Sequence, residues 1–147
     1  MAHSFAPRAI DYEIVCEGRA ACVRLAPNAC AKYRQAIDGQ DKLSVQRRTH
    51  LARYFAEFCE HSDVRSRLNP KQFKREGTFK DGHREFSIWT FKAPKWRLYG
   101  AILQVAGKRC FVGTRVDPDK KQDKADQTLL RLTAKDIGGL AEMQGTK

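Results

Sequence analysis

The apolar and polar positions of this chain change rhythm repeatedly, and each rhythm predicts a different element. Short alternating stretches come first, at Asp11-Tyr-Glu-Ile-Val-Cys16 and at Ala20-Ala-Cys-Val-Arg-Leu25. Glu17-Gly18 lies between them as a turn, so the pair predicts a hairpin of short strands. Pro27 suits the first turn of a helix, the composition from Asn28 to Ile37 is helix-compatible, and Asp38-Gly39 closes it. The next helix is better marked. Leu51, Tyr54, Phe55 and Phe58 recur at helical spacing, Arg47, Arg48, Arg53 and Glu57 fall elsewhere, and Asp41 stands in place as a cap. This predicts a helix from about Lys42 to Glu60 whose aromatic stripe packs on a sheet.

Asn69-Pro70 breaks the pattern, and Lys71-Gln-Phe-Lys-Arg-Glu-Gly77 leads to a turn at Asp81-Gly82. Apolar-aromatic runs follow at Phe86 to Phe91, Trp96 to Leu103 and Cys110 to Val116. Strand alternation puts Arg84, Phe86, Ile88 and Thr90 on one side of the first run and Glu85, Ser87, Trp89 and Phe91 on the other. In the second, Lys95, Arg97, Tyr99 and Ala101 share a face opposite Trp96, Leu98, Gly100 and Ile102. Ala93-Pro94 and Ala106-Gly107-Lys108 are tight links, which predicts an antiparallel meander. Asp117-Pro118 ends the last strand in a lysine-rich loop, and Ala125, Leu129 and Leu132 mark a helix over roughly 124–132. Thr133 with Asp136 caps one further turn, which Gly138-Gly139 ends. The expected chain is α+β, an antiparallel sheet of about four strands with helices packed on it. Residues 1–10 read as a flexible leader and residues 11–147 as one compact domain.

A length of 147 residues allows one ordinary core and hardly two. No run of about 18 apolar residues is present, so no membrane span is expected. Met1 to Arg8 lacks the apolar run of a secretion signal, which points to the cytoplasm. The cysteines, Cys16, Cys22, Cys30, Cys59 and Cys110, contain no Cys-x-x-Cys pair and read as small buried apolar residues. The histidines form no zinc-binding arrangement either, and neither a metal nor a cofactor is expected. Phosphate-loop, nucleophile-elbow and dinucleotide-binding glycine patterns are all missing.

Charge changes the picture. The formal net charge is +11, and Lys71 to Lys124 holds 14 Lys or Arg against 6 Asp or Glu. A basic, strand-rich stretch of this kind suits nucleic acid better than a small neutral metabolite. Arg97 and Tyr99 lie on one face of a predicted strand, about 6–7 Å apart by strand rise. There a guanidinium can grip a phosphate and a ring can stack on a base. Arg84, Lys92, Lys95, Arg115, Lys120 and Lys124 extend this candidate nucleic-acid-binding surface. Metal-free cleavage of RNA must take a proton from the 2′-hydroxyl, stabilise charge at phosphorus and return a proton to the leaving oxygen. Arg97 suits the second task and Lys121 with its neighbours assists it, while Glu85 or His83 is the candidate acid or base. Tyr99 and an ordinary lysine are poor bases at neutral pH. The same residues also have a plain surface reading, with Tyr99 half buried, Arg97 covering a sheet edge and the lysines solvated.

From Lys71 onward, several motifs follow in order: Lys71-Gln-Phe-Lys74, Arg84-Glu85-Phe86, Trp96-Arg97-Leu98-Tyr99, the strand to Val116, and Lys120-Lys121-Gln122-Asp123-Lys124-Ala125-Asp126. This order resembles the RelE/HigB-like toxins of bacterial toxin-antitoxin systems and their phage-borne relatives. The resemblance implies a compact α+β fold with helices on an antiparallel sheet. It implies a toxin-like endoribonuclease that cleaves messenger RNA without metal, often on the ribosome, and that an antitoxin or other protein partner neutralises. It sets Arg97, Tyr99, Lys120, Lys121 and Lys124 at or near functional positions. Ser87 stands where many members carry arginine, and no Tyr, Phe, Trp or His follows Leu132. A non-catalytic nucleic-acid-binding or protein-interaction regulator on the same scaffold is therefore the alternative.

Overall fold

A computed structural model describes residues 11–119 and 124–145; the leader expected at 1–10, and Lys120 and Lys121, lie outside the described residues. Among the described residues six strands make one sheet: β1 (Glu13–Glu17), β2 (Ala21–Leu25), β3 (Phe73–Asp81), β4 (Arg84–Ala93), β5 (Trp96–Val105) and β6 (Lys108–Asp117). Their spatial order is β1-β2-β6-β5-β4-β3. The hairpin β1-β2 and the meander β3 to β6 are antiparallel within themselves, but β2 runs parallel to β6. The sheet is therefore mixed and six-stranded, which corrects the expected antiparallel sheet of about four strands. The amino-terminal hairpin is not a separate flap, because Ala21 to Leu25 pair along Arg109 to Gly113. The remaining difference is β3, a segment read as a lead-in. It pairs with β4 along its length, yet a register shift between Arg75 and Gly77 breaks the alternation that would have marked it. Its polar composition fits an edge strand.

The described helices are α1 (Pro27–Ile37), α2 (Lys42–Glu60) and α3 (Gln127–Gly145). Pro27 occupies the first turn of α1. The Asp41 carboxylate caps α2, accepting from the Ser44 N–H at 3.2 Å. Alternation along the strands separates two packing faces. Ala21, Val23, Leu25, Phe91, Trp96, Leu98 and Phe111 pack under α1 and α2. Cys22, Ala101, Leu103, Ile88 and Tyr99 face α3 through Ile137, Leu140, Leu130 and Ala134. Helix α3 runs through Gly138-Gly139 instead of stopping there, and Thr133 is not a cap, since its hydroxyl donates to Leu129 O at 2.7 Å inside the helix. Gly138 lies where α3 meets the β3-β4 hairpin, and a Cβ at that position would collide with the Asp81 carboxylate. The glycine permits a close crossing instead of ending the helix.

The core under α1 and α2 is aromatic, with Phe91 at its centre. Phe73, Phe111, Phe55 and Phe58 surround that ring at centroid distances of 4.3, 4.8, 4.9 and 5.9 Å. Several of these contacts are edge-to-face, the geometry that the ring quadrupole favours. Phe111 fits because the strand beside it carries Gly100: a Cβ there would strike the Val112 carbonyl and come within 2.8 Å of Phe111 Cζ. Replacement Gly100→Ala is expected to destabilise the protein by about 1–3 kcal/mol through overpacking. Denaturant unfolding followed by far-UV circular dichroism measures this as a lower midpoint at unchanged slope.

Candidate nucleic-acid interface

Among the described residues, those singled out for chemistry do not gather at one point. Arg97 is half-buried and its Nη1 donates to the carbonyls of Ala93 and Trp96, at 3.0 and 2.9 Å. Lys92 is its cross-strand neighbour and Lys95 is exposed at the adjoining turn, so these three share one end of the sheet. Glu85 is exposed on the same strand as Lys92, and seven residues separate them, about 23 Å by strand rise. Glu85 and Arg97 therefore do not share a phosphate. Arg84 donates from Nη2 to the Gly138 carbonyl at 3.5 Å. Arg115 grips Asp136 on α3 with two bonds of 2.7 and 3.0 Å, which also hold its guanidinium more firmly protonated than usual. Lys124 is exposed ahead of α3.

Tyr99 is 0% exposed beneath α3, among Ile88, Leu130 and Ala134. Its hydroxyl accepts a hydrogen bond from the Asp126 N–H at 3.4 Å, and Asp126 in turn caps α3 by accepting from the Leu129 N–H at 3.1 Å. The ring therefore anchors the start of a helix and presents no face to a base. Burial is the main reason that the Tyr99 phenol is pushed up to about 12, with the Asp117 and Glu76 carboxylates adding to it and Asp126 N–H and Arg97 opposing it.

An open aromatic surface lies elsewhere on the sheet. The face packed under α2 continues past Phe91 to Trp89 and Ser87 on β4 and to Ile102 and Gln104 on β5. Trp89 and Ile102 are half-buried there, while Ser87 and Gln104 are exposed. Phe73 backs the Trp89 ring in a stacked contact, at 4.9 Å between centroids and 17° between planes. The Arg65 guanidinium lies 5.9 Å from the Trp89 centroid, from the short 3-10 turn Val64–Ser66. Arg75 on β3 is held over this face by Ser87 at 3.3 Å and by Thr78. Arg109 stacks on Phe58 at 4.4 Å and donates to the Phe58 and His61 carbonyls at 2.9 Å each, closing the end of α2.

Two hollows, of about 240 and 330 Å³, share Arg65, Phe73 and Trp89 in their walls. Arg109 and Asp63 complete the smaller, and Lys74 and Arg75 the larger. Cations thus outnumber carboxylates around a supported indole. The strand alternation puts Trp89 on the Phe91 face without setting it apart from the core, and the sequence places none of Arg65, Arg75, Lys74 or Arg109 in a candidate site. The signal available was the run Glu85, Ser87, Trp89, Phe91, which turns from polar to apolar along one face and so marks where cover begins.

Among the described residues no group of three or more His, Cys, Asp or Glu side chains is placed to hold a metal, and no helix is long and apolar enough to cross a membrane. No protein-family model, curated protein or solved structure matches the chain.

Because the Tyr99 phenol is raised in the folded state, its contribution to stability is fully present below its ordinary value of 10.0 and is lost as pH climbs toward about 12. Alkaline unfolding curves are expected to show falling stability across that interval. Tyr99→Phe, which lacks the ionisable hydroxyl, is expected to flatten the fall, as read from urea midpoints at successive pH values.

Proposed function

We propose that this protein binds single-stranded RNA across the open end of its sheet, with Trp89 as the stacking platform and Arg65, Arg75 and Lys74 as the surrounding positive field. The observation that carries this reading is the supported indole: Phe73 stacks behind Trp89 at 4.9 Å, and Arg65 lies beside it. Unpaired bases stack on rings of this kind whatever their sequence, and nearby guanidiniums take the phosphates. The net charge of +11 supports it by raising the local concentration of any polyanion. All five cysteines are free thiols, which supports the reducing cytoplasm where such a partner is met. The toxin-like endoribonuclease remains the second reading. What favours it is the end of the sheet where Arg97, Lys92 and Lys95 come together. The enclosed Tyr99 ring and the distance to Glu85 weigh toward binding without cleavage.

One experiment separates the readings. A fluorescent single-stranded RNA is titrated with wild type, Trp89→Ala, Arg75→Ala and Arg97→Ala at low and high salt, and the same samples are run in chelator for products. The binding reading expects Trp89→Ala to lose about tenfold or more in affinity, since a base-aromatic stack contributes roughly 1–3 kcal/mol. It expects Arg75→Ala to reduce the salt dependence by about one phosphate contact. Unchanged affinity in Trp89→Ala removes the platform from the site. A product that disappears only in Arg97→Ala establishes the endoribonuclease instead.

A further inference from the structure

Two of the five free thiols meet where the edge strand β1 lies against the last turn of α2, and they differ in access. Cys59 is 0% exposed, whereas Cys16 is half-buried and partly open to solvent. The Cys59 thiol donates to the Cys16 carbonyl at 3.6 Å, and the two thiols also hydrogen-bond to each other. A register shift in β1 explains the meeting. Regular alternation would send Val15 and Cys16 to opposite faces of the sheet. The pairing with β2 slips between Ile14 and Cys16, and both side chains pack on the core that contains Cys59. The backbones are tied as well, since the Cys59 carbonyl accepts from the Ala20 N–H at 2.8 Å in the turn before β2. The sulfurs are thus brought together by two elements already fixed to each other.

The pair meets the requirements for disulfide formation by a peroxide. The attacking sulfur has to be a thiolate that the oxidant can reach. The hydrogen bond from Cys59 brings the Cys16 thiol down to about 7, against burial and the Glu60 carboxylate, which push it up. Tyr33 on α1 also faces Cys16, and burial raises its phenol, so it stays neutral there. Cys59 is pushed up by the same hydrogen bond and by burial, and it remains a thiol. The other cysteines lack this combination. Cys22 and Cys110 are neighbours in register across β2 and β6, but at 1% and 0% exposure neither meets an oxidant. Cys30 is buried, which raises its thiol.

We infer that Cys16 and Cys59 are a peroxide-reactive dithiol that closes reversibly to a disulfide and staples the edge of the sheet to α2. The Cys16 thiolate attacks a peroxide oxygen: an S–O bond forms, the O–O bond breaks, and the departing hydroxide takes a proton to become water. The Cys59 sulfur then attacks the Cys16 sulfenic acid. The S–S bond forms, the S–O bond breaks, and hydroxide leaves with the Cys59 thiol proton as a second water. Two electrons pass from the sulfur pair to one hydrogen peroxide, and a dithiol reductant reverses the change by exchange. The closed pair restricts the unfolded chain between positions 16 and 59, so oxidation stabilises the fold. This site stands whether or not Trp89 binds RNA.

The test exposes the reduced full chain to a small excess of hydrogen peroxide, blocks the remaining thiols under denaturing conditions and maps the peptides without reduction. The expected product is a single cross-link between the Cys16 and Cys59 peptides, with Cys22, Cys30 and Cys110 recovered as blocked thiols. Its formation is expected to raise the melting temperature by about 5 °C or more, and dithiothreitol to reverse both changes. Cys16→Ser, at the more open position, is expected to form no cross-link and to show no melting shift with peroxide. Cys59→Ala leaves Cys16 without its resolving thiol, so dimedone, a reagent for sulfenic acids, is expected to label Cys16 in that variant. A cross-link through another cysteine, no cross-link at all, a peroxide-induced melting shift that persists in Cys16→Ser, or no dimedone label in Cys59→Ala would each overturn the inference.

Discussion

The packing of Phe111 against a strand that has no side chain at Gly100 is the contact on which the rest of this structure depends. A ring can lie that close to the sheet only where a Cβ is missing. Once Phe111 is down, Phe91 meets it edge-on at 4.8 Å, and Phe55, Phe58 and Phe73 close around Phe91. The cluster joins β6, β4, β3 and α2, elements far apart in sequence, through rings whose mutual geometry is restrictive. It also reaches the surface. Phe73 touches Phe91 on one side and stacks on Trp89 on the other, so the half-buried indole is an extension of the core. A ring fixed in advance loses little freedom when a base stacks on it, and this is how the core would contribute to the proposed binding.

The second constraint is the parallel join of β2 to β6. It puts the hairpin in the same sheet as the meander, with α1 and α2 over one face and α3 over the other. Covering both faces turns many of the meander's cations into structural ties. Arg115 holds α3 through Asp136, Arg84 reaches the Gly138 carbonyl, Arg97 binds turn carbonyls and Arg109 closes α2. Arg67 is likewise engaged, with Glu57 on α2. The abundance of Lys and Arg between 71 and 124 therefore overstates the surface available to a polyanion. What distinguishes Arg65 and Arg75 is the aromatic face beside them.

Local signals were legible where one residue type does one job. Asp41 caps α2 as its position suggested, Pro27 opens α1, and the Leu51-Tyr54-Phe55-Phe58 stripe is buried. The alternation on β4 and β5 put the correct residues on opposite faces. The failures share a cause, which is that their physics is tertiary. The pairing of β2 with β6 depends on what lies 80 or more residues away, and no hairpin turn announces it. Gly138-Gly139 looks like a stop until the Asp81 carboxylate shows why a side chain is excluded at Gly138. Tyr99 and Trp89 illustrate the same limit at the site. Both are aromatic residues on a strand with basic neighbours, and only α3 makes one an internal anchor, while the other, next to the exposed Ser87, stays half-buried among the described residues.

That contrast also bears on catalysis. Cleavage of RNA without metal needs a base, a charge stabiliser and an acid within hydrogen-bond reach of one phosphodiester, about 2.6–3.2 Å from the atoms each serves. Arg97 can supply the stabiliser, but Tyr99 is enclosed and Glu85 stands about 23 Å along the strand from Lys92, the cross-strand partner of Arg97. Binding makes weaker geometric demands. A stacking ring and several guanidiniums spaced along a backbone act additively and tolerate a moving ligand, which is the arrangement found around Trp89. Among the described residues, the cations are therefore distributed as the proposed binding of a strand would require.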